Sequence, residues 1–168
     1  MDNRHEKGFT LIEMLVTVAV FTVLMTIIGA IFTQTLDLQR VAFHLQTLEE
    51  NSRFSLEVMA REIRFGKLTS PSTVCPGSGS LSMTHPVNGD ISYSLVDGRV
   101  VRNVNGIDAI LTSKKVNVTS LNFCVTGAES GDGKQPMVTI LMSMETGGKI
   151  PQQIDLQTTV TTRLLDVL

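Results

Sequence analysis

The sequence predicts an α+β fold in which a long N-terminal helix packs on an antiparallel β-sheet. An apolar run fills Leu11 to Phe32, apolar residues then recur at helical spacing from Val41 to Ile63, and from about Leu81 the period changes to two. The pair Asp97-Gly98 lies between two strand-like runs, and both central positions of a type I′ hairpin turn need positive φ. One helix followed by antiparallel strands is an α+β layout.

The first element is an apolar run from Leu11 to Phe32, in which Glu13 is the single charged residue. A helix of about 20 residues is long enough to cross a bilayer. The threonines in the run do not break it, because their hydroxyls can bond to carbonyls of their own helix. A removed secretory signal peptide fits poorly, since its apolar core spans roughly 7–15 residues. A plain membrane anchor stays open, but it does not explain Glu13.

The helix is predicted to continue to Phe65 as an amphipathic element. Glu62 and the other charged residues are expected on the faces outside the apolar stripe, and Gly66 is the predicted C-cap. We expect the stripe to pack on the chain's own sheet. Its members recur at steps of three and four, with Ser52 in the one polar slot: Val41, Leu45, Leu48, Leu56, Met59 and Ile63.

Period-two alternation predicts the strands. Two of them, Ile91–Val96 and Arg99–Val104, flank the Asp-Gly turn. Loops rich in Gly, Ser and Pro are predicted at 66–80 and 127–136. We expect the helix to cover one face of the resulting sheet. The further strand candidates are 110–112, 116–125, 138–144 and 154–162.

The six residues Gly8-Phe9-Thr10-Leu11-Ile12-Glu13, followed directly by the apolar run, resemble the class III signal of type IV pilins and type II secretion pseudopilins. The resemblance implies that a membrane-embedded aspartyl prepilin peptidase cuts between Gly8 and Phe9 and that Phe9 is then N-methylated. Gly8 has no side chain, so its backbone can approach a protease closely. The leader departs from the family pattern, because its two acidic residues cancel its two basic ones.

The same resemblance implies a role for Glu13 in filament assembly. A carboxylate near hydrocarbon costs roughly 2.5–3.5 kcal/mol on insertion scales. The family pattern implies that Glu13 neutralises the new N-terminal amine of Phe9 on a neighbouring subunit inside an apolar filament core. A paired buried charge is tolerable where an isolated one is not. Glu13 is therefore the predicted assembly residue, which sets the axial register of one subunit against the next.

The resemblance also implies an organisation and a location. Four segments are predicted: a cytoplasmic leader at 1–8, a transmembrane and assembly helix at 9–33, an amphipathic helix at 34–66 and a β-sheet domain at 67–168. The protein would cross the inner membrane once, with its C-terminal domain periplasmic or extracellular, and enter a filament. Its partners would be a prepilin peptidase, other minor and major pseudopilins or pilins, the inner-membrane assembly platform and membrane lipid.

The chain from Glu62 onwards resembles one subgroup of this family. A helix ending in Glu62-Ile63-Arg64, the hairpin YSLVDGRVVR and the closing strand LQTTVTTR resemble the J-type minor pseudopilins and their minor-pilin relatives. This implies a structural subunit that helps to initiate or cap the pseudopilus of a type II secretion system, which exports proteins. Two alternatives stay open. One is a minor pilin of a type IV pilus, concerned with assembly, adhesion, motility or DNA uptake; the other is a membrane-anchored binding domain that never polymerises.

Cys75 and Cys124 are the two cysteines of the chain. Outside the cytoplasm an even pair is a candidate disulfide, and two unpaired thiols are the alternative.

No enzymatic activity, metal, cofactor or nucleic-acid partner is expected. The three histidines and two cysteines are too widely spread for a metal site. Gly131-Asp-Gly-Lys134 resembles the end of a phosphate loop, but Gln135 stands where a Ser or Thr should bind magnesium. The acidic residues are scattered, the net charge is −2, and the sequence shows no basic patch.

Overall fold

The computed structural model describes residues 8–70, 74–129, 134–147 and 151–163. Leader residues 1–7 and the motif glycines 131 and 133 lie outside the described residues. Within those bounds the chain forms one helix, α1 (Leu11–Phe65), followed by strands. It divides into two compact units, Met1–Ala42 and Phe43–Leu168. An α+β fold with one long N-terminal helix and antiparallel sheets is therefore confirmed.

The first unit contains the N-terminal part of α1, and it has no buried residue among those described. The threonines of the apolar run bond back to their own helix, as expected: the Thr17 hydroxyl donates to the Glu13 carbonyl at 3.0 Å, and that of Thr22 to the Val18 carbonyl at 2.7 Å. These bonds satisfy the hydroxyls without an outside partner, so the apolar run stays helical throughout.

The second unit contains the C-terminal part of α1, and here one side of the helix is buried. Leu48, Ser52, Met59 and Ile63 are buried as the stripe predicts. Leu56 is half-buried, and Leu45 is 40% exposed, so the stripe prediction was wrong for Leu45. Ser55 and Glu62 are buried too, and the assignment of Glu62 to another face was wrong. The buried side of the helix is therefore wider than the predicted stripe, because Ser55 and Glu62, which follow Ser52 and Met59 by three residues, are covered as well.

The helix ends where the sequence predicts, at Phe65. The Gly66 N–H donates to the Glu62 carbonyl at 2.8 Å, which completes the last turn, and the chain then enters a strand.

The strands form two antiparallel sheets rather than one. The first has five strands in the order β1 to β5: Lys67–Leu68, Ser80–His85, Gly89–Val96, Arg99–Val104 and Ile107–Ile110. The second has three strands in the order β6 to β8: Val116–Thr126, Met137–Thr146 and Gln153–Thr161. Alternation in the sequence predicts where strands lie, but it does not say which strands pair.

Two turns explain the register of the first sheet. Asp97 and Gly98 have φ of 48° and 68°, which confirms the predicted type I′ turn between β3 and β4. A Cβ on Gly98 would lie 2.0 Å from the Asn117 side-chain oxygen, so a larger residue would have to displace that side chain as well as adopt a positive φ. Asn105 and Gly106 also have positive φ, at 51° and 88°. Strand β5 begins directly after this second two-residue turn, at Ile107, so the strand predicted at 110–112 was placed too late in the sequence.

One apolar core joins the C-terminal part of α1 to both sheets. Inward-facing residues of β2, β3 and β4 meet those of β6 and β7 in this core. Strand β1 lies within residues 66–80, which the sequence analysis predicts as a loop. The core members from the strands are Leu81, Met83, Ile91, Tyr93, Val100, Val116, Val118, Leu121, Phe123, Val125, Val138, Ile140, Met142, Met144 and Val160.

Candidate functional site

The N-terminal site is formed by the residues around the start of α1. The Thr10 hydroxyl accepts the Glu13 backbone N–H at 3.3 Å, and the Thr10 carbonyl accepts the Met14 N–H at 3.2 Å. Thr10-x-x-Glu13 is the capping-box spacing, and a carboxylate in the first turn interacts favourably with the helix dipole. Glu13 thus also supports the helix start, a role that the sequence reading missed although the spacing shows it.

The predicted cleavage junction lies just before this cap and is accessible. Phe9 is 79% exposed, and a Cβ added to Gly8 would meet no atom within 4 Å. Glu13 is exposed one turn further on, and its side chain forms no salt bridge with any residue in the described part of the chain. Gly8, Phe9 and Glu13 therefore lie together at one helix start.

The helix that follows presents apolar side chains on every side. Each large apolar side chain from Leu11 to Phe32 is 50–83% exposed. By length and composition this helix can cross a membrane. So much exposed apolar surface needs lipid or other apolar helices as a cover.

A comparison with protein families bears on this segment. The family model of the prokaryotic N-terminal methylation motif matches residues 3–29. The chain carries a type IV pilin-like prepilin signal. The match covers the junction at Gly8 and Phe9, the carboxylate of Glu13 and most of the apolar run. No curated protein and no solved structure matches the chain.

The signal has consequences for partners and location. A prepilin motif implies processing by a prepilin peptidase and assembly with other pilins. Together with the exposed apolar helix, it fits a membrane-anchored protein that is incorporated into a filament.

The second unit holds a disulfide between Cys75 and Cys124, whose Cα atoms are 5.2 Å apart. Two backbone hydrogen bonds support the link: the Ser78 N–H donates to the Phe123 carbonyl at 3.0 Å, and the Phe123 N–H donates to the Ser78 carbonyl at 2.8 Å. Gly77, which lies between Cys75 and Ser78 in the chain, has φ of 77°, and a Cβ there would lie 2.0 Å from the Phe123 carbonyl oxygen. The disulfide therefore ties the segment before β2 to β6.

A buried polar cluster surrounds Glu62. Arg102 of β4 donates from Nε to Oε2 at 2.9 Å and from a terminal nitrogen to Oε1 at 2.5 Å. The Tyr93 hydroxyl of β3 also donates to the carboxylate, and the Asn88 amide lies 3.5 Å from it. Glu62 thus links the helix to two strands of the first sheet, and its side chain is 11% exposed.

The cluster fixes the charges of its members. Burial disfavours the ionised form of Glu62, but hydrogen bonds from Arg102 and Tyr93 and the charge of Arg102 outweigh it and hold the pKa of Glu62 below its ordinary value. Burial, and then the hydrogen bond to Glu62, raises the pKa of Tyr93 well above its ordinary value. The hydrogen bond to Glu62 raises the pKa of Arg102. The arrangement is therefore an ion pair with a neutral phenol, which suits a structural link.

An open cleft of about 590 Å³ brings together basic residues from two segments of the chain. Arg99, Lys114 and Lys115 line it, together with Asp97 and His44. None of the three strong bases forms a salt bridge with another residue that the structure describes. The reading of the sequence as lacking a basic patch missed this grouping, because the turn after β3 and the segment before β6 meet only in the fold.

The structure brings no metal-binding group together among the described residues: there is no cluster of three or more His, Cys, Asp or Glu side chains. The absence of enzymatic activity stays a prediction.

Proposed function

We propose that the protein is a minor pseudopilin, a structural subunit that helps to initiate or cap the pseudopilus of a type II secretion system. The observation that carries the proposal is the prepilin signal from Gly8 to Glu13 at the accessible start of an apolar helix. Cleavage before Phe9 would release a new amine one turn from Glu13. We expect no catalytic activity and no cofactor.

Glu13 is proposed as the assembly residue. Its carboxylate is exposed, and the described part of the chain supplies it with no cation. In an apolar filament core the methylated amine of Phe9 on a neighbouring subunit is a matching charge, and pairing offsets much of the cost of burying the carboxylate.

The finer assignment rests on resemblance in the second unit. The β3–β4 hairpin and the β8 strand carry the sequences that resemble J-type minor pseudopilins. The same proposal implies that the leader is cytoplasmic, that α1 crosses the inner membrane and that the β-sheet domain is periplasmic. A disulfide fits an oxidising compartment of that kind.

Processing is tested by mass spectrometry. The full chain is co-expressed with a prepilin peptidase, and the expected product lacks residues 1–8 and carries one methyl group on Phe9. A known substrate in the same cells is the positive control. An uncut chain beside a cut control would leave the non-polymerising membrane-anchored domain as the better interpretation.

The Glu13 role is tested by substitution. We expect Glu13→Ala to insert and to be cut normally but to enter filaments at least tenfold less often, because the amine of the neighbour is left unpaired. Thr10→Ala is the matched control, since it removes the helix cap and keeps the carboxylate. Equal losses in both variants would assign Glu13 to capping alone.

A minor pilin of a type IV pilus is the second candidate, because the same prepilin signal serves both machines. Neighbouring genes discriminate: a secretion-channel gene favours the pseudopilin, and a retraction-motor gene favours the pilin.

A further inference from the structure

The cleft lined by Arg99, Lys114 and Lys115, which we call the basic cleft, lies at one end of the second unit. Its helical lining residues are His44 and Thr47, which are half-buried and are the second and fifth residues of that unit. The other lining residues come from the turn between β3 and β4, from the segment that leads into β6 and from the end of β7. The basic cleft is therefore at the end of the second unit at which α1 enters it.

Hydrogen bonds from the backbone hold the walls of the basic cleft in place. The Val118 N–H donates to the Gly98 carbonyl at 2.8 Å, which joins β6 to the turn between β3 and β4. The Ser113 N–H donates to the Asn51 side-chain oxygen at 2.8 Å, which fixes the segment before β6 to α1. The fold therefore sets the backbone positions of the three bases before any ligand binds, which lowers the entropy lost on binding.

Positive charge exceeds negative charge in the lining of the basic cleft. The three bases face one acid among the lining residues, Asp97. Glu145 is close by, and its carboxylate accepts the Asn117 amide at 2.8 Å. None of the three bases forms a salt bridge with another residue in the described part of the chain. The lining therefore favours an anion, because charge-assisted hydrogen bonds to phosphate or carboxylate are strong.

The position of the basic cleft along the chain favours a lipid headgroup as the anion. His44 follows Phe32, the last residue of the apolar run, by 12 positions, which correspond to at most about 18 Å of helix. Headgroups extend about 5–7 Å beyond the hydrocarbon core of a bilayer. Charges attract one another over roughly another 8–10 Å in physiological salt. Because long basic side chains add their own length, the cleft is within reach of the surface of the membrane that α1 enters.

The helix between the apolar run and the basic cleft presents no unpaired Lys or Arg. Asp37 and Arg40 are the charged residues of that segment, and they pair with each other at 3.1 Å. Among the described residues, the cleft is thus the group of unpaired cations nearest to the apolar run along α1. Lysines and arginines close to a membrane surface strengthen binding to anionic lipid by about fivefold each.

We propose that the basic cleft binds the anionic headgroup of a phospholipid in the membrane that anchors α1. The headgroup phosphate accepts hydrogen bonds from the guanidinium of Arg99 and from the ammonium groups of Lys114 and Lys115. This contact holds the second unit against the membrane surface before the subunit enters a filament. The inference rests on the proposed function for the placement of α1 across a membrane, but it depends neither on cleavage at Gly8 nor on filament entry.

Fluorescence quenching of the full chain in lipid nanodiscs tests the contact. Val96→Cys, at a half-exposed position next to the turn between β3 and β4, carries a fluorophore, and both native cysteines are already in a disulfide. Phosphatidylcholine with a spin-labelled headgroup is the quencher. We expect quenching to be about threefold stronger in discs that contain phosphatidylglycerol than in discs of phosphatidylcholine alone. High salt should abolish the difference, because the screening length falls to about 3 Å. Equal quenching in the two kinds of disc would overturn the proposal.

Removal of the bases identifies the site. The double variant Lys114→Gln/Lys115→Gln should lower the phosphatidylglycerol-dependent quenching by about fivefold or more. Arg64→Gln/Lys67→Gln is the matched control, since it removes two bases where α1 ends and β1 begins and should leave the quenching unchanged. Equal losses in both double variants would indicate a diffuse attraction of the whole unit and contradict a site in the basic cleft.

Asp97→Asn should change the contact in the opposite direction. Asn-Gly supports the same type I′ turn as Asp-Gly, so the substitution removes the acid from the lining and keeps the backbone. At limiting phosphatidylglycerol the quenching should rise about twofold to fivefold. An unchanged or weaker signal would contradict an anion in the basic cleft.

Two further measurements distinguish a lipid from other anions. Inorganic phosphate should leave the quenching at the value seen in sodium chloride of the same ionic strength; selective displacement by phosphate would assign the cleft to a soluble anion. The second measurement compares copurifying proteins. A protein partner that is lost from Lys114→Gln/Lys115→Gln while the quenching stays at the wild-type value would assign the cleft to that partner. Either result would overturn the proposal.

Removal of residues 1–8 is measured in the same samples, so that the two proposals can fail separately. Chains that remain uncut beside a cut control refute the proposed function, and their quenching still reports on the basic cleft. Chains that are cut and enter filaments but show no phosphatidylglycerol-dependent quenching in discs refute the lipid contact alone.

Discussion

Two glutamates on the same helix show how the two units differ. Glu62 lies in the second unit, where Arg102 and Tyr93 surround its carboxylate. Glu13 lies in the first unit, exposed on an apolar helix, and the described residues provide it with no ion pair. The second unit satisfies its buried charge from its own strands. The first presents a charge and an apolar surface that the described residues leave exposed.

The largest expected effect comes from the disulfide, which belongs to the self-contained unit. The double variant Cys75→Ser/Cys124→Ser should lower the free energy of unfolding by about 4 kcal/mol, because the link closes a long loop in the unfolded chain. Denaturant unfolding of the full chain in detergent measures it, with the reduced wild type as control. Membrane association through residues 11–32 should stay unchanged. A loss below about 1 kcal/mol would show that the sheets hold together without the link.

The next effect concerns the buried carboxylate. Glu62→Ala should lower the free energy of unfolding by about 3 kcal/mol, because it leaves Arg102 and Tyr93 without their shared acceptor. The same unfolding experiment measures it. Tyr93→Phe, which removes one donor and keeps the ion pair, should cost about 1 kcal/mol. Equal losses for the two variants would contradict an ion pair as the main contact.

A smaller effect is the pH dependence of the same cluster. The pKa of Glu62 is lowered from its ordinary value of 4.5, so its contribution is present above that pH and is lost as the pH falls through the folded-state pKa. The raised pKa of Tyr93 has the opposite sign: its contribution is present below about pH 10 and is lost as the pH rises further. Unfolding curves from pH 3 to 7 should converge for wild type and Glu62→Gln at the acid end; curves that stay parallel would assign the acid sensitivity to other groups.

The smallest effect is expected one turn away on the same helix. Glu57 pairs with Arg61 on the surface at 2.7 Å, with both side chains more than 60% exposed. Glu57→Gln should change the free energy of unfolding by less than about 0.5 kcal/mol, since exposed pairs are screened by water and salt. A larger change, seen only in assembled protein, would place Glu57 in a contact between subunits.

Much of the fold was predictable because local chemistry determines it. The helix end at Phe65 and the type I′ turn at Asp97-Gly98 follow from spacing and from the need for positive φ. The position of β5 was predicted wrongly because the Asn105-Gly106 pair, which forms the same kind of turn as Asp97-Gly98, was not used as a turn signal. The two-sheet arrangement was not predictable, since alternation does not specify strand partners.

The candidate sites were likewise predictable where their residues are close in the sequence and were missed where their residues are far apart. Gly8, Phe9 and Glu13 lie within six consecutive residues, so a motif was enough to predict their roles. The burial of Glu62 was missed because its partner Arg102 is 40 residues away. The basic cleft was missed for the same reason, as Arg99 and Lys114 come from separate segments.

The sequence by itself determined the membrane-compatible helix, the processing signal at its start and the alternation of the strands, because each depends on residues near one another in the chain. Only the tertiary structure decided which carboxylate is buried, whether the two cysteines meet and which basic residues line one cleft. Those outcomes depend on contacts between residues tens of positions apart, and pairing across such distances is set by how the helix and the two sheets pack together.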